Sequence, residues 1–276
     1  MSSKVLNFLN SIVNSIVIDE PEEPENSHPY FLQDLSIPVL DHGLIKLTNL
    51  AGPVRRPFEI FDALDCDVPR TARQSFGKGR VAYSKTQDEK LYRYLMNNKH
   101  TTPIEMIETW WEMTLPIAIA RQFVRHRTAA IDEVSARYTE LPDNWYVPEL
   151  GDIRFKAEFA KQGGAVIDLN NPELVAAATW FITTLDSHSK IGYEHYRRAT
   201  AVGIAPELAR LFLGLNIYTA WVWKMDLKNL MHFLSLRLDS HAQLEARLLS
   251  EAMYKLLQQY LPVSMKLFEE FYLQSK

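Results

Sequence analysis

Between Arg121 and Arg137 the chain carries four arginines, Arg121, Arg125, Arg127 and Arg137, with no lysine and only Asp132 and Glu133 as carboxylates. Any fold must answer that crowding, because neighbouring guanidinium groups repel unless an anion sits among them. The planar guanidinium fork suits bidentate capture of phosphate or a carbonyl-rich ring, which a lysine point charge does less well. The whole chain is acidic, with a net charge of -4, so the positive charge is a local device. A nucleotide is the natural ligand class. The plainer alternative is a basic helix end, salt-bridged to Asp132 and Glu133 and favoured by the helix dipole by roughly 0.3–1 kcal/mol per cation.

With 276 residues, 47% hydrophobic and 11% aromatic, the chain can bury a large core as one domain or two small ones. The lone cysteine, Cys66, allows no internal disulfide and no paired-cysteine zinc site, and it fits a reducing compartment. Its neighbours Asp65 and Asp67 disfavour the thiolate, so a cysteine nucleophile is not expected. No apolar run approaches the roughly 20 residues that span a bilayer. The start of the chain, Met1 to Ile18, is broken by Asn7, Asn10, Ser11 and Asn14 and makes a poor signal peptide. A cytoplasmic location is expected, with no membrane and no nucleic-acid partner, since nucleic-acid binders usually show a basic face. The run DEPEEPEN from Asp19 to Asn26 reads as a solvated linker. The expected division is a leader and acidic linker over 1–36 and one folded domain over 37–276.

Along the domain, Pro38 to Leu50 alternates as a strand pair or a bent strand. Asp88 to Asn98 is helical, Pro103 to Met106 adds a turn, and Ile107 to Leu115, rich in Trp and Thr, is a strand. Pro116 suits the first turn of a helix that ends in the arginines. Tyr138 to Asn170 is an irregular excursion with a short strand near Trp145 to Val147. Asn171-Pro172 starts a long helix to about Ala201, stopped near Gly203, and Pro206 opens a short one. From Leu227 a helical stripe runs to about Tyr260. The class is a helix-rich α+β single domain with a mixed or antiparallel sheet.

Three constellations can carry chemistry. Helical spacing puts Gln122, Arg125 and His126 on one face, with Arg121 one turn from Arg125. The continuation through Ser135 and Arg137 adds a hydroxyl and another fork. In LSLRLDSHAQLE, Arg237, Asp239, His241, Gln243 and Glu245 form the second; Arg237, His241 and Glu245 share a helical row, read either as a solvated charged face or as part of a site, and Asp239 points to another face, so no metal is expected there. Arg70, Arg73 and Ser75 in PRTARQSF, and His100, Thr102 and Glu105 in HTTPIE, form the third set, where helix capping alone explains the second string. Arg210 and Asn216 could simply finish a short helix. Neither GxGxxG nor GxxxxGK[ST] is present, which removes the usual dinucleotide fold and the P-loop.

Taken together these strings resemble the flavin-dependent thymidylate synthases. RHRTAAIDEVSARY is similar to that family's RHR-x7-S signature. ARQSF, the H-x-TP-x-E string at His100 to Glu105, PIAIARQFVRHR, ELARLFLGLNIYT and LMHFLSLRLDSHAQLE follow in the family's order, over roughly Pro38 to Leu261. The resemblance implies the thymidylate synthase-complementing protein fold and synthesis of dTMP from dUMP. FAD is the implied cofactor, with NADPH and methylenetetrahydrofolate as co-substrates, in a homotetramer whose sites are shared between subunits. It gives dUMP to Gln122, Arg125, Glu133, Ser135, Ala136, Arg137, Arg210 and Arg237, with Arg237 as the catalytic group that polarises uracil. It gives FAD to Ser75, Thr102, Arg125, His126, Arg127, Glu133, Asp226, Lys228, His232 and His241.

The chain departs from the family at Ala136, where glycine is usual, and at Asp132, Asp226 and His232, where some relatives carry Asn. An Ala136 that needed positive φ would cost on the order of 1 kcal/mol. The stretch Pro53 to Val68 and the leader have no clear family counterpart. Two other readings stay open: a binding module that grips a polyanion without catalysis, and a homologue that keeps the nucleotide site but has lost turnover.

Overall fold

The computed structural model describes residues 35–53, 64–79, 83–156 and 164–274. The leader and acidic linker expected over 1–36 fall almost wholly outside them, and the folded body belongs to the unit 34–276. Its framework is a five-stranded antiparallel sheet in the order β1-β2-β3-β7-β4, built from β1 (Ser36–Val39), β2 (Gly43–Ala51), β3 (Glu108–Pro116), β4 (Ala130–Glu133) and β7 (Tyr218–Asp226). Two-residue strands β5 (Arg154–Phe155) and β6 (Ala165–Val166) form a separate hairpin.

Alternation decides which side of the sheet is buried. On β7, Trp221, Trp223 and Met225 point into the core while Ala220 and Val222 face out. Across the register Trp111 pairs with Trp223 and Met113 with Trp221, so the two central strands present one continuous aromatic and thioether face. Helices cover that face. Helix α4 (Ile117–Phe123) lies against β3 and β7, and α8 (Leu244–Tyr260) against β1 and β2. Helix α7 (Leu227–Arg237) follows β7 directly and packs on α8. Phe123, Trp223 and Phe233 meet with centroids 4.8–6.0 Å apart, locking α4 and α7 onto the sheet.

The remaining helices are α1 (Asp67–Gln74), α2 (Lys85–Asn97), α3 (Thr102–Glu105), the long α5 (Pro172–Ala201), α6 (Pro206–Ala209) and α9 (Pro262–Phe268). Asn171 caps α5, its side chain accepting from Glu173 N and Leu174 N, as its place before Pro172 suggests. The strand pair, the 107–115 strand, the long helix and the helix opened by Pro206 are all present.

Three expectations are corrected. The 227–260 stripe is two helices, because Asp239 Oδ1 accepts from His241 N at 2.9 Å and turns the chain before α8 begins. Pro116 closes β3 and stands as N-cap of α4, one position before the helix proper. The helix ends at Phe123, so Arg125 to Arg127 lie on the turn beyond it, drawn toward β4, which pairs with β7 from Lys224 to Trp221.

Candidate active site

Arg237 ends α7 and reaches across to the turn after α4. Its Nη2 donates to Gln122 O at 3.3 Å and lies 3.2 Å from His126 Nε2. Its Nε is buried and finds no acceptor among the described residues. Such an orphan donor costs on the order of 1–3 kcal/mol unless a ligand satisfies it. Burial also holds the guanidinium below its usual pKa. The Gln122 side chain donates to Gln243, on the turn that leads into α8.

Gln122, His126 and Arg237 therefore do meet, by tertiary contact and not by sharing a helical face. Arg237, His241 and Glu245 share no helical row; His241 Nδ1 lies 2.9 Å from Asp239 Oδ1, and Glu245 accepts from Tyr146 OH at 3.1 Å. Gln243, grouped with Arg237 on sequence, was not expected beside Gln122. Nothing in its spacing marks it, because its contact with Gln122 spans 121 positions of sequence.

The salt-bridged helix end is overturned. Glu133 Oε1 accepts from Thr219 Oγ1 at 2.6 Å. Arg121, Arg125, Arg127 and Arg210 are exposed and ion-pair with no carboxylate among the described residues. Those positive charges on an acidic chain are a built demand for anions.

A second group forms around the segment after β4. Ser135 Oγ accepts from Arg137 N at 3.3 Å, and Arg137 Nε sits 3.8 Å from Glu207 on α6, one turn before Arg210. Ala136 is buried with Leu141, Tyr193, Tyr196 and Ala209, and it does not have positive φ. The strain foreseen for an alanine there is absent. Gly192 lets the Arg210–Phe212 turn approach α5, since a Cβ on it would lie 2.6 Å from Phe212 O. Among the described residues no hydrogen bond or ion pair joins Glu133, Ser135, Arg137 or Arg210 to Arg237, Gln122 or His126.

Of the residues expected at a cofactor, Ser75, Thr102, Asp226, Lys228 and His232 lie on or beside α1, α3 and α7. Ser75 follows α1 and Thr102 opens α3; α3 packs against both α1 and α7. Helix α7 carries Lys228 and His232, and the His232 ring lies 6.4 Å from that of His126. Asp226 caps α7, accepting from Asn229 N at 2.9 Å and from Asn229 Nδ2 at 2.6 Å. Lys228 Nζ donates to Asn229 Oδ1 at 3.3 Å. His241 stays with Asp239, outside this group. The unpaired Arg125 and Arg127 and the free ring nitrogen of His126 fit a cofactor bearing a diphosphate. No cluster of metal-ligating side chains occurs among the described residues, and no helix is long and apolar enough to cross a membrane.

A cavity of about 980 Å³ is lined by Phe155, Trp180, Phe181, Leu215 and Gln243, and by none of the arginines of the 121–137 run. It is an apolar cleft on the flank of α5, touching the site only through Gln243.

Fold and charge thus define an α+β protein with a set of unbalanced arginines suited to an anionic ligand. A sequence profile of the family described as "Thymidylate synthase complementing protein" matches residues 64–263. The chain is 39% identical over 238 residues to a flavin-dependent thymidylate synthase of Wolbachia pipientis wMel, covering 86% of this chain and 77% of that one. It is 36% identical over 239 residues to the Dictyostelium discoideum protein of the same name, covering 87% and 75%. Among solved structures it resembles the UMP/dUMP methylase PolB of Streptomyces cacaoi bound with 5-Br dUMP, with TM-score 0.71 and 26% identity over 86% of this chain and 98% of that one. The chain belongs to the flavin-dependent thymidylate synthase family. The profile begins at residue 64, so the end of the 53–68 stretch has a family counterpart after all.

Proposed function

We propose that this chain is a working flavin-dependent thymidylate synthase. It converts dUMP, methylenetetrahydrofolate, NADPH and a proton to dTMP, tetrahydrofolate and NADP⁺. The observation that carries the reading is Arg237, held through Nη2 by Gln122 O and His126 while its buried Nε meets no acceptor among the described residues.

Uracil attacks a one-carbon unit only when its ring is electron-rich. A fixed guanidinium beside a ring carbonyl stabilises the negative charge that develops, without reorganising as it does so. Arg125 and Gln122 orient the same nucleotide, and Ser135, Ala136 N–H, Arg137 and Arg210 take its phosphate and ribose, with Glu133 alongside. Ser135 has no base beside it and serves as a hydrogen-bond donor. FAD would be held by Arg125, His126 and Arg127 with Ser75, Thr102, Glu133, Asp226, Lys228, His232 and His241. Bound FAD supplies the redox chemistry that side chains lack. Cys66 lines a separate cavity with Lys85, Asp88 and Tyr92, so no thiol stands at Arg237 among the described residues.

The split between the two groups supports a homotetramer in which Glu133 to Arg137 and Arg210 of one protomer complete the site of another. The surface around Arg210 suits such contact: Leu211 is 77% exposed, Leu215 68% and Tyr138 81%. The same reading places the enzyme in the cytoplasm.

The deciding experiment measures tritium released from C5-labelled dUMP. Release that requires FAD, NADPH and methylenetetrahydrofolate together establishes the synthase. A yellow protein that binds dUMP and releases none would be an inactive homologue. Salt-sensitive RNA binding without retained flavin would favour the polyanion module.

A further inference from the structure

A guanidinium has hydrogen-bond donors and no acceptor. At the 3.2 Å contact between Arg237 Nη2 and His126 Nε2, the imidazole nitrogen must therefore accept, and the ring proton must sit on Nδ1. The acceptor is rigidly mounted. His126 N donates to Phe123 O at 3.0 Å, and its ring stands edge-on to Phe233 at 4.9 Å and 84°. Phe233 is in turn packed against Phe123 and Trp223, all fully buried. Burial, with Arg237 and His232 alongside, lowers the His126 pKa to about 4, so the ring stays neutral at physiological pH. Nη2 is occupied twice, by Gln122 O and by His126, and Nε is buried without a described acceptor.

We infer that His126 is a positioning residue for Arg237: with its proton on Nδ1 it accepts from Arg237 Nη2 through Nε2, and so fixes the guanidinium with its Nε left for the uracil ring. The family resemblance gives His126 to the flavin alone; the geometry adds a task directed at the nucleotide. The Nδ1–H, claimed by no described residue, is left as a donor on the ligand side. The inference rests on the function proposed above, but the pairing can be read without turnover.

The test begins with protein labelled with ¹⁵N only in histidine, free of cofactor and substrate, whose two-bond proton–nitrogen pattern reports each ring's tautomer. The His126 signal, assigned by its loss in His126→Gln, is expected in the Nδ1–H form and to leave it in Arg237→Ala. An Nε2–H pattern in the wild type overturns the inference. Calorimetry with dUMP and steady-state rates then follow. His126→Gln gives up the flavin contact, but its Oε1 can replace the acceptor, so it should stay above His126→Leu in kcat. His126→Leu should fall on the order of tenfold below His126→Gln in kcat, and that difference should vanish in the Arg237→Ala background. Equal rates for the Gln and Leu variants, both folded, also overturn it. Failure of dUMP to bind the wild type would overturn the proposed function, while the tautomer pattern would still decide the His126–Arg237 pairing.

Discussion

Among the described residues Arg237 hydrogen-bonds only one main-chain carbonyl and one imidazole, so an Arg237→Ala variant should fold normally. It should lose on the order of 10²–10³ in kcat, the usual cost of removing one preorganised donor. An unchanged melting curve with near-normal dTMP formation would remove Arg237 from the chemistry. His126 makes a separate prediction about pH. Its imidazole sits at about 4, below the model-peptide value of 6.5, mainly because of burial and then the charge of Arg237. The folded chain refuses a proton that the unfolded chain accepts, so this group's share of stability is whole above the unfolded value and drains away as pH falls toward the folded one. Melting temperature against pH should fall less steeply across that acid window in His126→Gln; identical slopes would contradict it. At this scale the sequence was most legible, because arginine's donor set and its unbalanced charge are properties of residue type. What it hid was the partner set. Gln243 and Thr219 contact Gln122 and Glu133 through space alone.

Among the elements, cap chemistry separates stability from cofactor contact at Asp226. That carboxylate takes both Asn229 N and Asn229 Nδ2 and starts α7, which carries Arg237 on its last turn. Asp226→Ala should destabilise by about 1 kcal/mol, as N-cap losses typically do, while Asp226→Asn should keep the cap. Thermal unfolding of the pair checks this; equal losses would mean the charge, and not the cap, matters. The carboxylate that stands where some relatives carry Asn thus has work within the fold. Helix starts were readable where Asn171 or Pro206 signalled them. The break after α7 was not, because leucines continue at helical spacing on both sides and neither Gly nor Pro interrupts them. Asp239 turns the chain by side-chain bonding. Strand β7 alternates plainly but lies between two helical segments, and β4 is only four residues, held by pairing with β7.

At the scale of the whole molecule, the sequence gives no hint of which apolar residues stay outside. Helix α5 runs 30 residues yet buries only Ala178, Ser189, Tyr193, Tyr196 and Ala199, leaving Trp180 66% exposed and Phe181 in the adjoining cleft. Leu211→Asp should therefore shift the sedimentation profile toward smaller species and lose activity together with assembly. An active monomer would refute shared sites. The unbalanced charges of Arg121, Arg125, Arg127 and Arg210 have a wider consequence. Each is repelled by its neighbours until an anion arrives, so substrate and cofactor should act as scaffolding as much as reactants. By mass action, a ligand at 100 times its Kd adds about 2.7 kcal/mol to the folded state. Such an enzyme is sturdiest while it is supplied. When nucleotide runs short, the empty protein is the form a protease would reach first, and its abundance would follow the supply it consumes.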